Sequence, residues 1–144
     1  MLRKAQAAAD EIARECVMTR WRMTNRVLSA IYDDELRPLG VKSGQLSLLV
    51  AVTKAGPVRR IELGRLLSLD PSTLTRNLAL MVKHGWIEEV PDDGDQRGAP
   101  LQITGTGRKL LETLAPAWRR AQARAKKVLG RSAVELIFST LKGP

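Results

Sequence analysis

Cysteine and histidine each occur once among the 144 residues, and that scarcity removes several kinds of chemistry. A single cysteine cannot form an intrachain disulfide, so a reducing compartment is expected. His84 has no second histidine or cysteine with which to share an ion, so no metal site is expected. No apolar run approaches the ~20 residues that span a bilayer. Met1 to Glu15 alternates charge with alanine where a signal peptide would carry an apolar core. The expectation is a cytoplasmic protein with no membrane partner. Gly-x-Ser-x-Gly and Walker motifs are missing as well. Thr104-Gly105-Thr106-Gly107-Arg108-Lys109 imitates a phosphate loop without its spacing, and Thr104 capping a new helix is the plainer reading. Neither catalysis nor a cofactor is expected.

What is present is concentrated between residues 58 and 107. Two amphipathic stretches flank the break Ser68-Leu69-Asp70-Pro71. Asp70 is suited to cap the free N–H groups of a helix, Pro71 to occupy its first position, and Leu69 and Leu74 to staple the turn. Leu74, Leu78, Met81 and Val82 then recur at three- and four-residue spacing, which leaves Ser72, Thr73, Thr75, Arg76 and Asn77 on or near the early polar face. Gly85 is a left-handed stop, with Lys83 and His84 favourably placed at the negative helix end. Trp86 to Val90 and Leu101-Gln102-Ile103 read as two strands of a hairpin. At its tip Asp95 lies two residues from Arg97, close enough to orient the guanidinium as wing support. Helix, turn, capped polar helix and hairpin together make a winged helix-turn-helix. In that arrangement the second helix offers its N-terminal residues to base edges, and an Arg on the wing reaches phosphate or the minor groove.

The sequence resembles the MarR (multiple antibiotic resistance regulator) family of bacterial winged-helix dimers. The resemblance rests on Arg37-Pro38-Leu39-Gly40, Gln45-Leu46-Ser47-Leu48-Leu49, and the run from Leu66 to Arg76. It continues through His84-Gly85-Trp86-Ile87, Asp95-Gln96-Arg97 and Leu101 to Gly107, in order over nearly the whole chain. It implies a homodimer that binds a pseudo-palindromic operator in double-stranded DNA and, in many members, releases it when a small effector binds. DNA-contacting roles carry over to Ser72, Thr73, Thr75, Arg76, Asn77 and Arg97. Three positions depart from the pattern: Gln96 in place of a second wing Arg, Glu89 in place of a strand Arg, and Ser68 in place of a turn glycine.

The net charge of +9 is unevenly spread. Residues 57–110 carry eight Lys or Arg against seven Asp or Glu, whereas residues 115–144 carry seven against one. General basicity holds a protein near DNA, but specific docking must rest on a few placed residues. Arg119, Arg120, Arg124, Lys126 and Lys127 read either as a solvated face or as partners for Asp10, Glu11 and Glu15 of a second subunit.

From about Ala5 to Arg37 there is neither proline nor glycine, which allows one helix of ~50 Å. Ile12, Cys16, Met23, Val27 and Ala30 form one apolar stripe, and Val17, Trp21, Leu28 and Tyr32 form another on the far side. A helix apolar on two sides needs two partners, its own domain and a second copy. Leu110, Leu111, Leu114, Trp118, Val128, Val134, Ile137 and Leu141 are expected to complete the dimer core. The fold expected is mainly α with a small β-hairpin wing. Residues 41–107 form the winged part, and residues 5–37 and 108–144 supply dimerisation helices.

Arg20 and Thr24 project between the two stripes, where a guanidinium needs an anionic partner. An acidic protein group is one candidate, and an anionic aromatic or phenolic effector is the other. Cys16 reads as a small core residue, with a redox-sensing regulator as the alternative. The function expected is a homodimeric, effector-released repressor. A winged-helix module that binds protein without specific DNA recognition is the competing reading, favoured by Gln96, Glu89 and the near-neutral winged segment.

Overall fold

The computed structural model describes residues 1–92 and 98–140. Its first departure from the sequence pattern is at Cys16. The single long helix expected from Ala5 to Arg37 is two helices, α1 (Leu2–Glu15) and α2 (Val17–Leu36). Cys16 adopts extended backbone, φ −66° and ψ 109°. Its N–H bonds the Ile12 carbonyl at 2.9 Å, and its sulfur accepts the Thr19 N–H at 3.5 Å. The expected core cysteine is thus a partly exposed cap between helices. The physical reason is that α1 buries no residue at all, so no core surrounds its end.

After a short 3-10 turn at Arg37–Leu39, α3 (Ser43–Ala55) runs through the centre of the molecule. It is started from outside: Asp33 Oδ1 accepts the Ser43 N–H at 2.6 Å, and the buried Gln45 returns to the Lys42 N–H at 3.0 Å. Leu46, Leu48, Leu49, Ala51 and Val52 are all buried. A helix apolar on so many sides has to be surrounded. Its neighbours are α2, α4 (Arg60–Leu67), α5 (Pro71–Lys83) and α6 (Gly105–Leu129).

Strands β1 (Ile87–Glu89) and β2 (Leu101–Ile103) pair antiparallel, Ile87 opposite Ile103 and Glu89 opposite Leu101. Val58 adds a bridge to Leu101, with N···O distances of 2.9 and 2.8 Å, which ties the hairpin to the start of α4. Ile87, Leu101, Leu63, Leu78, Met81 and Leu114 meet α3 in one fully buried cluster. Each such side chain contributes about 1.5–3 kcal/mol by leaving water. The first strand is shorter than the Trp86 to Val90 expected, and Val82, expected in the apolar stripe of α5, is exposed.

Thr104 caps α6, its hydroxyl oxygen accepting the Gly107 N–H at 3.0 Å. Gly107 lets that turn press on the hairpin, since a Cβ there would stand 2.1 Å from the Trp86 carbonyl oxygen. Farther along, buried Ala117, Ala121 and Ala125 allow α6 to lie close against α2. The contact is edged by charge. Arg120 Nε meets Glu35 at 2.8 Å, and Arg124 Nη1 meets Asp34 at 2.9 Å and Glu35 at 3.0 Å. Two of the arginines assigned to solvent or to a partner's Asp10, Glu11 and Glu15 therefore pair within their own chain. Helix α7 (Arg131–Thr140) follows Gly130 and buries no residue.

Candidate nucleic-acid interface

The turn between α4 and α5 is built by the residues that announce it. Ser68 takes the left-handed conformation, φ 50°, where glycine would be easier. Asp70 caps α5: its Oδ1 accepts the Thr73 N–H at 2.9 Å and the Ser72 hydroxyl at 2.7 Å. Those hydrogen bonds, Thr73's first and Ser72's second, hold the Asp70 carboxyl well below the usual carboxylate range. Leu74, Leu78 and Met81 point inward. With that face buried, Ser72, Thr75 and Arg76 are left exposed and Thr73 and Asn77 partly so. The five α5 residues expected to contact DNA thus lie on the first two turns of one helix. Asn77 Nδ2 donates to the Thr73 carbonyl at 3.1 Å, which orients the amide along the helix. The arrangement presents hydroxyls, one amide and one guanidinium beyond the positive end of a helix, a set able to donate to base edges and phosphate oxygens.

Arg97, Asp95 and Gln96 lie outside the described residues. The base of the wing is described, and it holds residues that the sequence reading missed. Arg59 Nη1 donates to the Gly98 carbonyl at 2.7 Å, and its Nη2 pairs with the Asp92 carboxylate. Arg60 Nη2 lies 3.3 Å from Glu89 Oε1, which gives the unexpected strand acid a counter-charge. The adjacent arginines ahead of Glu62 were the available signal, but nothing local says that they turn toward a hairpin 30 residues away. His84 stacks on Trp86, centroids 4.7 Å apart, as the end of α5 turns into β1.

A cavity of about 580 Å³ lies between α2, α3, α4 and α6, walled by Leu46, Val50, Leu67, Leu111, Ala115 and Trp118. Tyr32, Ser43 and Ser47 are the polar residues of its lining, and the Ser47 hydroxyl donates to the Ser43 carbonyl at 3.2 Å. Burial raises the Tyr32 phenol above its ordinary value, so the group is neutral, and it donates to Gln122 Oε1. Arg20 and Thr24 are not in this lining. Arg20 is exposed on α2 with Nη2 3.5 Å from the Arg14 carbonyl, and the Thr24 hydroxyl donates back to the Arg20 carbonyl at 2.9 Å. Neither the acid nor the enclosed anion site expected around them is formed among the described residues of the single chain. At Cys16, hydrogen bonds from Thr19 bring the thiol below its ordinary value.

Among the described residues no helix is long and apolar enough to cross a membrane. A MarR family model matches residues 39–98, the span from the turn before α3 to the wing. The multiple antibiotic resistance protein MarR of Salmonella typhimurium is 32% identical over 90 residues, covering 62% of this chain and 62% of that protein. The chain thus matches somewhat less than two thirds of the length of its curated relatives. The crystal structure of the reduced form of MarR from Escherichia coli superposes with a TM-score of 0.69 at 25% identity, covering 87% of this chain and 93% of that one. A mutant MarR from Escherichia coli complexed with operator DNA gives a TM-score of 0.64 at 23% identity, covering 91% and 86% of the two chains. Residues 39–98, which hold the capped turn, the outward polar helix and the first arm of the hairpin, thus match the MarR family model, and the fold over most of the chain is similar to that of MarR from Escherichia coli.

Proposed function

We propose that the chain is a transcription regulator that works as a homodimer and reads a pseudo-palindromic operator in double-stranded DNA. The observation that carries the reading is the outward face of α5. Its start is fixed by Asp70, its inner side is spent on Leu74, Leu78 and Met81, and Ser72, Thr73, Thr75, Arg76 and Asn77 are left for bases and phosphates. Arg97 is assigned the wing contact. Dimerisation is supported by apolar side chains with no cover in the single chain. Trp21 is 49% exposed, Val27 50% and Phe138 67%, all on the terminal helices. Residues 5–37 and 108–144 are accordingly assigned to the interface, and residues 41–107 to DNA.

Release by a small effector is the regulatory part of the proposal, and the cavity beside α3 is its site. A mainly apolar wall with three hydroxyl-bearing residues suits an aromatic or phenolic molecule. Arg20 and Thr24 stand outside that lining, so an acid would find no cation there and the neutral phenolic form is preferred. A mobility shift with the DNA upstream of the coding region, at varied salt, tests the function. A specific complex that loses about 1–3 kcal/mol on Arg76→Ala supports it. Binding no better than to shuffled duplex favours the protein-interaction module instead.

A further inference from the structure

The hairpin loses its backbone cross-links just where its tip begins. Counting outward from Ile87 opposite Ile103 and Glu89 opposite Leu101, the register sets Val90 opposite Pro100 and Asp92 opposite Gly98. Val90 donates to the Pro100 carbonyl at 2.9 Å, but Pro100 has no N–H to return the bond. Bonded pairs alternate along an antiparallel ladder, so Asp92 with Gly98 is the next place for a rung. None forms between them; Gly98 has φ +90°, and among the described residues the backbone ladder ends at Val90.

A side chain occupies that place. The Arg59 guanidinium binds both members of the missing pair, Nη1 on the Gly98 carbonyl at 2.7 Å and Nη2 on the Asp92 carboxylate. The planar fork of arginine is suited to hold two acceptors at a fixed separation, which a lysine ammonium would do less well. Its own position is set twice over. The preceding Val58 is bridged to Leu101 in the sheet, and the Arg59 N–H donates to Glu62 Oε2 at 2.9 Å at the start of α4. The ion pair is partly covered, the Arg59 and Asp92 side chains being 24% and 31% exposed, and both ends of the guanidinium are engaged within the chain.

We propose that Arg59 is a positioning residue for DNA binding: it replaces the last rung of the hairpin and fixes where the two arms of the wing stand relative to the α4–α5 pair. The inference rests on the DNA-binding reading above. It assigns Arg59 no phosphate of its own, and it has a consequence that can be measured without DNA.

Arg59→Gln and Asp92→Asn each break the bridge while changing the charge in opposite senses, and both keep the backbone bonds of Val58 and Arg59. Cleavage by trypsin after Arg97 reports how often the arms separate. Both variants are expected to be cleaved about fivefold faster than wild type, the upper range for losing one partly exposed pair, with unchanged melting temperatures. Both are also expected to weaken operator binding, and neither to weaken it further in an Arg97→Ala background. Equal cleavage rates overturn the bridge. Faster cleavage with unchanged affinity overturns the positioning role. Tighter binding by Asp92→Asn does the same, because it is what simple removal of a negative charge near DNA would give. If wild type binds no duplex, the DNA-binding reading fails by itself, and the cleavage rates still decide whether Arg59 holds the wing.

Discussion

Asp70 shows how much one side chain settles in this protein. It caps α5, orders Ser72 and gains hydrogen bonds that only its ionised form accepts fully. Because its folded pKa is depressed, its contribution to stability is complete above the unfolded value of about 3.9 and is lost as pH falls below it. Urea denaturation should therefore find Asp70→Asn less stable than wild type at neutral pH, with the gap narrowing toward pH 3. Gly107 makes a second residue-scale prediction. A methyl group 2.1 Å from the Trp86 carbonyl oxygen forces backbone apart, so Gly107→Ala should lower stability by about 1–3 kcal/mol in the same measurement. Capping at Asp70 was legible in the sequence because donor and acceptor lie within three residues. The Arg59 bridge and the Tyr32–Gln122 hydrogen bond were not, since their partners are 33 and 90 residues apart and no periodicity records such a meeting.

At the scale of the element, helical spacing foretold α4, α5 and α6 because each has a core to face. It failed on α1 and α2, where the spacing of apolar residues continues through Cys16 but nothing packs against it to keep the backbone helical. Within α5 the pattern separates inner from outer positions unevenly. Leu78 is wholly buried, and Val82 is 39% exposed. Leu78→Ala should cost about 2–5 kcal/mol by leaving a cavity under α5. Val82→Ala should change the midpoint of thermal unfolding little. Equal effects would show that α5 is rotated from the orientation that sends Ser72, Thr75 and Arg76 outward. The cavity beside α3 was invisible for a different reason: a void is made by four elements together, and the anion site inferred at Arg20 and Thr24 treated one helix as if its neighbours were known.

For the whole molecule, the terminal helices carry a surface that one chain leaves bare. Trp21, Met23 and Val27 on α2, with Leu136 and Phe138 on α7, are each about half exposed or more. A second copy covering them should give a sedimenting mass twice the 15.9 kDa of the chain, and Trp21→Glu or Phe138→Glu should shift it toward the monomer. Such a dimer would set the spacing of its two α5 helices, and hence the form of the site proposed for them. The most direct measurement is selection of bound duplexes from a random pool by the wild-type protein. A homodimer that reads DNA through α5 will enrich an inverted repeat with half-sites about 10–10.5 base pairs apart, or a multiple of that spacing. Recovery of no preferred sequence, or of a single unrepeated motif, would contradict it.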